Sequence, residues 1–329
     1  MAQAGSRKWG RIIALALVLA GSLYIAQFVY GWYGPGPLAK QTTFVVPSGS
    51  TLASIAGKLE AEGLVTSAAA FRSRARLLGG DGGIKAGEFT VPAQASGAQL
   101  LGILQGSEGF KRRLFTVPEG MPSILVAERL AAQTALTGTA PVPPEGSVLP
   151  ESYDIGLGES RAAVIGRMQR AMSSTLAELW AKRSADTVAR TPREAVILAS
   201  IVEKETGKPS ERKMVAGLYS NRLRRAMLLQ ADPTIIYPIT RGKPLGRRIR
   251  QSEIQAVNDY NTYTMVGLPK APITNPGRAS IEAVLHPART DALFMVADGA
   301  GGHIFAATLP EHNANVAKWF ALRRARGEI

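Results

Sequence analysis

A span of 22 residues without a charge, Ile12–Tyr33, constrains the arrangement of this chain more than any other feature. A helix needs about 20 apolar residues to cross the hydrocarbon core of a bilayer, whereas the apolar core of a signal peptide runs about 7–15 residues. The length therefore predicts a transmembrane helix at 12–33. A cleaved signal peptide is the alternative, and the poor match to an Ala-x-Ala-like cleavage site disfavours it.

The charges on either side of this span predict its orientation. Basic residues lie before it at Arg7, Lys8 and Arg11, and none follows it until Lys40. By the positive-inside rule, residues 1–11 form a cytoplasmic tail and the rest of the chain lies on the other side of the membrane. An aromatic belt at the membrane interface is predicted at the far end of the span, formed by Tyr30, Trp32 and Tyr33.

The charge and the composition exclude several classes of function. The formal net charge is +14, from 39 Lys and Arg against 25 Asp and Glu, which favours a polyanionic partner. The predicted export disfavours nucleic acid, and the sequence shows no helix-turn-helix, RRM or OB-fold signature. The absence of Cys excludes disulfides, a thiolate nucleophile and Cys-ligated metal sites. The spacing of the histidines does not support metal binding, so we expect no metal or other cofactor.

Helices and strands are predicted without regular alternation, which indicates the α+β class. Over residues 41–95 the pattern is strand, helix, helix and strand, and we assign 41–110 to a subdomain and 111–329 to a second domain. The segment SGSTLASIA at 48–56 resembles the opening of a LysM module, a small glycan-binding fold. The alternative is a capped amphipathic helix without a ligand.

The most informative stretch of the second domain is a predicted helix at Pro192–Glu205. Thr191 with Glu194 is typical of a capping-box start, and Pro192 fits the first helical position. Gly207 is a natural stop.

Glu205 stands on the apolar face of this helix. That face is formed by Leu198, Ile201, Val202 and Glu205, at i, i+3, i+4 and i+7. Desolvation raises the pKa of a carboxyl, and glycosidic cleavage requires a general acid that keeps its proton near neutral pH. The alternative is an ion pair between Glu205 and a Lys or Arg at the helix end. Glu203 is about 200° away around the helix, with Ser200 and Ala199, and is not on this face.

Residues 204–250 are rich in Lys and Arg. The run includes Arg222, Arg224, Arg225, Arg247, Arg248 and Arg250. Two interpretations stay open at this point: a solvated face, or a groove that contacts an anionic polymer or acidic headgroups.

Several segments, taken together, resemble the YceG-like family of endolytic murein transglycosylases over roughly residues 41–325. They are ASIVEKET at 199–206, NRL at 221–223, LQADPTIIY at 229–237, YNTY at 260–263, GLP at 267–269, PITNPG at 272–277, GGHIF at 301–305 and HN at 312–313.

The resemblance implies a membrane-anchored enzyme that cuts nascent peptidoglycan inside the glycan strand. Such enzymes cleave the MurNAc–GlcNAc β-1,4 bond without water, leave a 1,6-anhydroMurNAc end and terminate strand elongation. The family's catalytic Glu matches Glu205, the residue that the helix pattern also selects. The resemblance further implies an inner-membrane protein with a periplasmic catalytic domain, acting on glycan strands beside peptidoglycan synthases such as the penicillin-binding proteins.

The remaining candidate site residues are expected to bind sugar or to tune the acid. Amides and phenols satisfy hydroxyl groups, and flat rings stack on pyranoses. The candidates are Gln230, Asn261, Tyr263 and Asn275, with Asp232 and Glu203 beside them and with Tyr153 and His303 as weaker ones. Turn and packing roles are the alternative for Gln230, Asn261, Tyr263 and Asn275, a helix cap is the alternative for Asp232, and an ion pair with a basic neighbour is the alternative for Glu203. The alternative for the whole chain is a non-catalytic, membrane-tethered scaffold that binds peptidoglycan through the LysM-like segment.

Overall fold

The structure, a computed structural model, describes residues 3–47, 49–79, 82–106 and 113–329. Parts of four predictions lie outside the described residues: residues 1 and 2 of the cytoplasmic tail, Ser48 of the LysM-like segment, residues 80, 81 and 107–110 of the first subdomain, and residues 111 and 112 of the second domain. The described chain combines helices with short antiparallel strand pairs, so the α+β class is confirmed. It divides into two compact units, Met1–Arg113 and Leu114–Ile329.

The first unit pairs a small sheet with helices. Its described elements follow the order α1 (Gln3–Tyr33), β1 (Thr42–Val46), α2 (Leu52–Ala61), α3 (Ala68–Leu78), β2 (Gly87–Val91) and α4 (Gly97–Gln105). β1 and β2 are antiparallel, with Phe44 opposite Phe89. A capping box starts α2, where the Thr51 hydroxyl accepts from the N–H of Ser54 at 3.2 Å. The apolar faces of α2, α3 and α4 close one buried core over this sheet.

Helix α1 is long and apolar enough to cross a membrane. Its segment Ile12–Tyr33 has a mean hydropathy of 2.3, and no other helix of the described chain meets the same length and composition. The predicted aromatic belt needs one correction. Tyr30 and Tyr33 are exposed, but Trp32 is only 2% exposed. The centroids of the Trp32 and Phe71 rings are 5.6 Å apart. The indole is buried because the last turn of α1 packs on α3 and α4.

The second unit is mainly helical. Its elements follow the order β3 (Leu114–Thr116), α5 (Ser123–Ala131), β4 (Ser152–Asp154), α6 (Arg161–Ala181), α7 (Pro192–Glu205), α8 (Arg212–Arg224), α9 (Asp232–Thr240), α10 (Gln251–Ile254), α11 (Arg278–Leu285), β5 (Phe294–Ala297), β6 (His303–Ala306) and α12 (Leu309–Ala325). The strands pair locally, β3 with β4 and β5 with β6. The centre of this unit is therefore built by helices, and the strand pairs lie around it.

Helix α7 is the central element of this unit. It packs against α6, α8, α9 and α11. Every residue from Ala195 to Val202 is buried, including Ser200, whose hydroxyl donates to the carbonyl of Ile197 and accepts from the N–H of Ile273. Ser200 and Ala199 lie away from the apolar stripe, and both are nevertheless buried because neighbouring helices enclose residues 195–202 of α7.

The start of α7 differs slightly from the predicted capping box. The Thr191 hydroxyl accepts from the N–H of Glu194 at 3.1 Å, as expected of an N-cap. The Glu194 carboxylate, however, accepts from the N–H of Arg190 at 2.7 Å, one residue before the cap. The helix ends at Glu205, and this end places the Glu205 side chain at the edge of the buried core.

Candidate active site

A cavity of about 420 Å³ opens at the C-terminal end of α7. Its walls come from α7, α8, the segment that leads into α9, the 260–263 loop, the β5–β6 pair and α12. The lining residues are Glu205, Leu218, Tyr219, Arg222, Leu229, Gln230, Asp232, Tyr263, Met295, Val296, Ala297, His303 and His312. The predicted residues Glu205, Gln230, Asp232, Tyr263 and His303 are thus brought together from distant parts of the chain.

Glu205 is the buried carboxyl of this cavity. Its Oε1 atom is buried and has no hydrogen-bond partner among the described residues. Burial, and next the charge of Asp232, raise the pKa of Glu205 from 4.5 to about 7, while a hydrogen bond from Tyr219 and the charge of Arg222 act against the rise. Glu205 can therefore release and regain a proton near neutral pH.

Tyr219 on α8 keeps its proton and acts as a donor. Burial, followed by the charge of Glu205, raises the pKa of the Tyr219 hydroxyl well above its usual value of 10. A neutral phenol next to Glu205 donates to the carboxylate, and this bond partly offsets the cost of a buried anion.

Arg222, also on α8, ties the wall of the cavity together. It is only 8% exposed. Its Nε donates to the carbonyl of Leu293 at 2.7 Å, and its Nη1 to the carbonyls of Leu228 and Leu229 at 3.1 and 2.9 Å. The guanidinium also lies over the Phe294 ring, 5.4 Å from its centroid. For Arg222 the solvated face does not hold, because the side chain is buried and its Nε and Nη1 donate to backbone carbonyls.

Asp232 and Tyr263 form a hydrogen-bonded pair in the same wall. The Tyr263 hydroxyl donates to Asp232 Oδ1 at 2.6 Å. Buried hydroxyls hold the segments that carry Asp232 and Tyr263 together. The Oγ1 atoms of Thr262 and Thr234 are 2.8 Å apart, and Thr262 Oγ1 accepts from the N–H of Ala231 at 3.1 Å. The helix cap that was the alternative for Asp232 is wrong, because the N-cap of α9 is Ala231; Asp232 lies in the first turn, where the helix N-terminus favours an anion, and lines the cavity.

Histidines complete the opposite rim. The Nδ1 atom of His303 lies 2.8 Å from Oε2 of Glu211, whose Oε1 accepts from the His303 backbone N–H at 3.1 Å. His312 stacks on Phe294, and burial lowers its pKa below 6.5. No group of three or more His, Asp or Glu in the described part of the chain could hold a metal ion.

Glu203 lies outside the cavity. Its Oε2 accepts from the N–H of Gly277 at 2.8 Å, and its Oε1 accepts from Arg212 at 3.3 Å. Gly277 is the N-cap of α11, so the carboxylate lies where a helix N-terminus stabilises an anion. The ion pair with a basic neighbour is therefore present, and Glu203 links α7 to α8 and α11.

Asn261 and Asn275 are fully buried and also lie outside the cavity. The amide nitrogen of Asn261 donates to the carbonyls of Ile254 and Ala256 at 2.9 and 2.7 Å. That of Asn275 donates to the carbonyl of Met121 at 2.9 Å, and its Oδ1 accepts from the N–H of Val148 at 3.1 Å. The structure thus gives both amides the packing role that was the alternative to sugar binding.

Tyr153 is also placed away from the cavity. Its hydroxyl donates to the carbonyl of Leu149 at 2.6 Å, inside the unit. Conversely, no sequence pattern predicted a role in the site for Tyr219, Glu211 or His312, and Arg222 was noted only as part of the basic run. Only Arg222 and His312 carried a signal, since both lie in segments that match the family; the places of Tyr219 and Glu211 depend on how α8 packs beside α7.

Comparison with known proteins gives a consistent result. The sequence model of the YceG-like family matches residues 44–318. The chain is 26% identical to an endolytic murein transglycosylase of Bacillus subtilis strain 168, and the match covers 91% of each protein. It is 28% identical to an endolytic murein transglycosylase of Streptococcus pneumoniae strain D39, with 93% of this chain matched to 64% of that protein, which is therefore longer.

A solved structure shows a similar fold. The crystal structure of a yceG-like protein from Listeria monocytogenes matches 84% of this chain and 98% of its own, with a TM-score of 0.52 and 24% sequence identity. At this identity the match speaks for the fold alone.

Proposed function

The chain belongs to the YceG-like family, and from that premise we propose that it is an endolytic peptidoglycan transglycosylase in which Glu205 is the catalytic acid and base. The observation that carries the proposal is the Glu205 carboxyl at the cavity, whose pKa is raised to about 7 chiefly by burial. The similarity of the chain to proteins named endolytic murein transglycosylase supports peptidoglycan as the substrate class.

The proposed reaction needs one carboxyl of the protein. Glu205 first gives its proton to the glycosidic oxygen as the bond from that oxygen to C1 of MurNAc breaks. The 6-hydroxyl of the same MurNAc then bonds to C1, and its proton passes to the Glu205 carboxylate. The products are a 1,6-anhydroMurNAc end and a free 4-hydroxyl on the departing GlcNAc, so no water is consumed. This is a substrate-nucleophile variation on the scheme of two carboxylates.

Other residues at the cavity support both stages of this reaction. The Oε1 atom of Glu205 has no hydrogen-bond partner among the described residues, so the carboxyl has unused capacity to carry a proton. Tyr219 stabilises the carboxylate after the first transfer, and Asp232 favours return of the proton by charge repulsion. We assign sugar contacts to Gln230 and Tyr263, which lie in the same wall.

The test is mass spectrometry of purified glycan strands after incubation with the full-length protein. We expect anhydro ends at internal cleavage sites and far fewer such ends with Glu205→Gln. Reducing ends without anhydro ends indicate a hydrolase and overturn the proposed chemistry. A protein that binds strands but yields no product indicates the scaffold instead.

We further propose that the first unit includes a LysM-like subdomain that holds the glycan near the catalytic domain and raises its effective concentration. The strand, helix, helix and strand between Thr42 and Val91, with the capped start of α2, support this. Deleting residues 41–105 should reduce activity on long strands more than on short ones. Equal losses on both would indicate a structural role instead.

Helix α1 supports a further proposal, a single-pass anchor in the inner membrane with a cytoplasmic N-terminus and a periplasmic catalytic domain. The basic residues before the span are the basis for this orientation. A reporter that is active only outside the cytoplasm, fused after Ile329, should be active. Activity of a cytoplasmic reporter alone overturns the orientation, and with it access to the substrate.

The proposed partners, besides glycan strands, are peptidoglycan synthases of the penicillin-binding class. An enzyme that terminates growing strands must reach them while they are being made, and a membrane anchor restricts it to the same surface. Crosslinking in intact cells should recover a synthase with the full-length protein. Recovery that persists when α1 is replaced by an unrelated transmembrane helix would place the contact in the exported part of the chain.

A further inference from the structure

Gln230 has an unusual backbone at the edge of the cavity. Its φ is 54°, in the left-handed region that residues other than glycine seldom adopt. Its N–H donates to the carbonyl of Thr262 at 3.1 Å, and its side chain is exposed where it lines the cavity. Strained conformations of this kind persist where the surrounding structure holds them, and they concentrate at functional sites.

The neighbouring guanidinium fixes which way the Gln230 amide faces. Arg222 Nη1 lies 3.2 Å from the side-chain oxygen of Gln230. A guanidinium is only a donor, so the amide atom that faces it must be the oxygen. Arg222 is itself held by the carbonyls of Leu229 and Leu293 and cannot turn away. The Gln230 nitrogen keeps both of its N–H donors without a partner among the described residues, next to the cavity.

This arrangement presents a donor to the ligand. A sugar hydroxyl both donates and accepts, so it is best matched by an amide that offers both of its atoms. An amide that offers its N–H groups alone is best matched by an oxygen that only accepts. In peptidoglycan the strong acceptors of this kind are amide carbonyls, which occur in the N-acetyl group of each sugar and where the stem peptide joins the lactyl group.

Building on the proposed function, we propose that Gln230 is a specificity-determining residue that donates from its amide nitrogen to an amide carbonyl oxygen of the glycan substrate. Arg222 is the positioning residue that holds the amide in this orientation. The enzyme then prefers strands that carry the carbonyl over strands that lack it. This contact adds to any contacts with hydroxyl groups.

The test compares Gln230→Glu with wild type in the full-length protein. The substituted carboxylate keeps the size of the side chain and pairs with Arg222, but it has no N–H to donate. Gln255→Glu is the matched control, since Gln255 is exposed, lies outside the cavity lining and undergoes the same change in charge. The substrates are N-acetylated strands, de-N-acetylated strands, and strands whose stem peptides have been removed by an amidase.

We expect Gln230→Glu to lower kcat/KM about tenfold on intact strands, the equivalent of one hydrogen bond, with the control unchanged. If the loss disappears on de-N-acetylated strands, the carbonyl is that of the acetyl group. If the loss grows on amidase-treated strands, where the lactyl group ends in a carboxylate that still accepts from Gln230 but is repelled by the substituted side chain, it is the lactyl carbonyl. A Gln230→Glu variant that loses the same factor on all three substrates, or loses nothing, overturns the proposal.

Binding separates this proposal from the chemistry. In a Glu205→Gln background, calorimetry should show weaker binding of intact strands when Gln230→Glu is added, whatever products the wild type forms. Unchanged binding in that background overturns the role of Gln230 and leaves the role of Glu205 untouched.

Discussion

Glu203 and Glu205 lie two residues apart in α7, and their carboxylates have opposite hydrogen-bonding environments. Glu203 accepts from Gly277 at the start of α11 and from Arg212, so both of its oxygens are satisfied. Glu205 is the last residue of α7, and its Oε1 is buried without a partner among the described residues. One carboxylate is stabilised by a helix N-terminus, and the other is desolvated.

The same difference separates the two regions around these residues. The Glu203 region, which comprises Glu203, Arg212, Gly277 and Asn275, uses its polar atoms, apart from Arg212 Nε, in internal hydrogen bonds and joins helices. The cavity around Glu205 leaves donors and acceptors available. Polar groups that are fully paired stabilise a fold, whereas chemistry on a ligand requires groups with unused capacity.

The largest expected effect comes from exchanging one carboxyl for an amide in each region. Glu205→Gln should lower formation of anhydro products by about 10²–10⁴-fold, since the amide cannot transfer a proton. Glu203→Gln should lower it much less, because its side chain does not reach the cavity. Product formation by mass spectrometry, normalised to folded protein by circular dichroism, measures both. An inactive Glu203→Gln variant beside an active Glu205→Gln variant would reverse the assignment.

The next effect is the dependence on pH. Glu205 must be protonated when the reaction starts, and its pKa is raised to about 7. Activity should therefore fall as pH rises through about 7, approaching tenfold per pH unit well above it. Initial rates between pH 5 and 9 give the profile, and melting temperatures over the same range serve as the control for folding. A rate that stays constant up to pH 9 in folded protein contradicts Glu205 as the acid.

A change in the Glu203 region should affect stability more than chemistry. Asn275→Ala removes the acceptor of the buried Val148 N–H and the donors to Met121 and Ser123. We expect a loss of about 1–3 kcal/mol in the free energy of unfolding, the usual cost of a buried group left unsatisfied. Urea denaturation in detergent measures it. Activity per folded molecule should stay near that of wild type; a loss comparable to that of Glu205→Gln would bring Asn275 into the active site.

The smallest effect concerns the backbone of Gln230. The left-handed conformation costs a residue with a side chain about 1–2 kcal/mol, and glycine avoids that cost but loses more chain entropy on folding. Gln230→Gly should therefore raise the free energy of unfolding by up to about 1 kcal/mol while lowering activity. Paired measurements of melting temperature and rate test this. A destabilised glycine variant would show that the Arg222–Gln230 contact stabilises the fold more than the backbone strain destabilises it.

Sequence periodicity was sufficient to identify features that depend on neighbours along the chain. The start of α7 at Thr191 and Pro192 follows from local capping, and the membrane-length helix follows from an unbroken apolar run. The i, i+3 and i+7 spacing placed Glu205 in line with Leu198 and Ile201. These features require no knowledge of which other helices are present, because they depend on contacts within one element.

Tertiary packing decided the rest. Asn261 and Asn275 have the same chemistry as a sugar-binding amide, but the carbonyls that occupy them come from other segments of the chain. The burial of Trp32 depends in the same way on α3 and α4. The amphipathic pattern of one helix determines which residues share a face. Whether a polar atom on that face is already paired or is left for a ligand depends on how α8, α9 and α11 pack around α7. A hydrogen bond requires a partner within about 3 Å, and the sequence does not specify distances between remote segments.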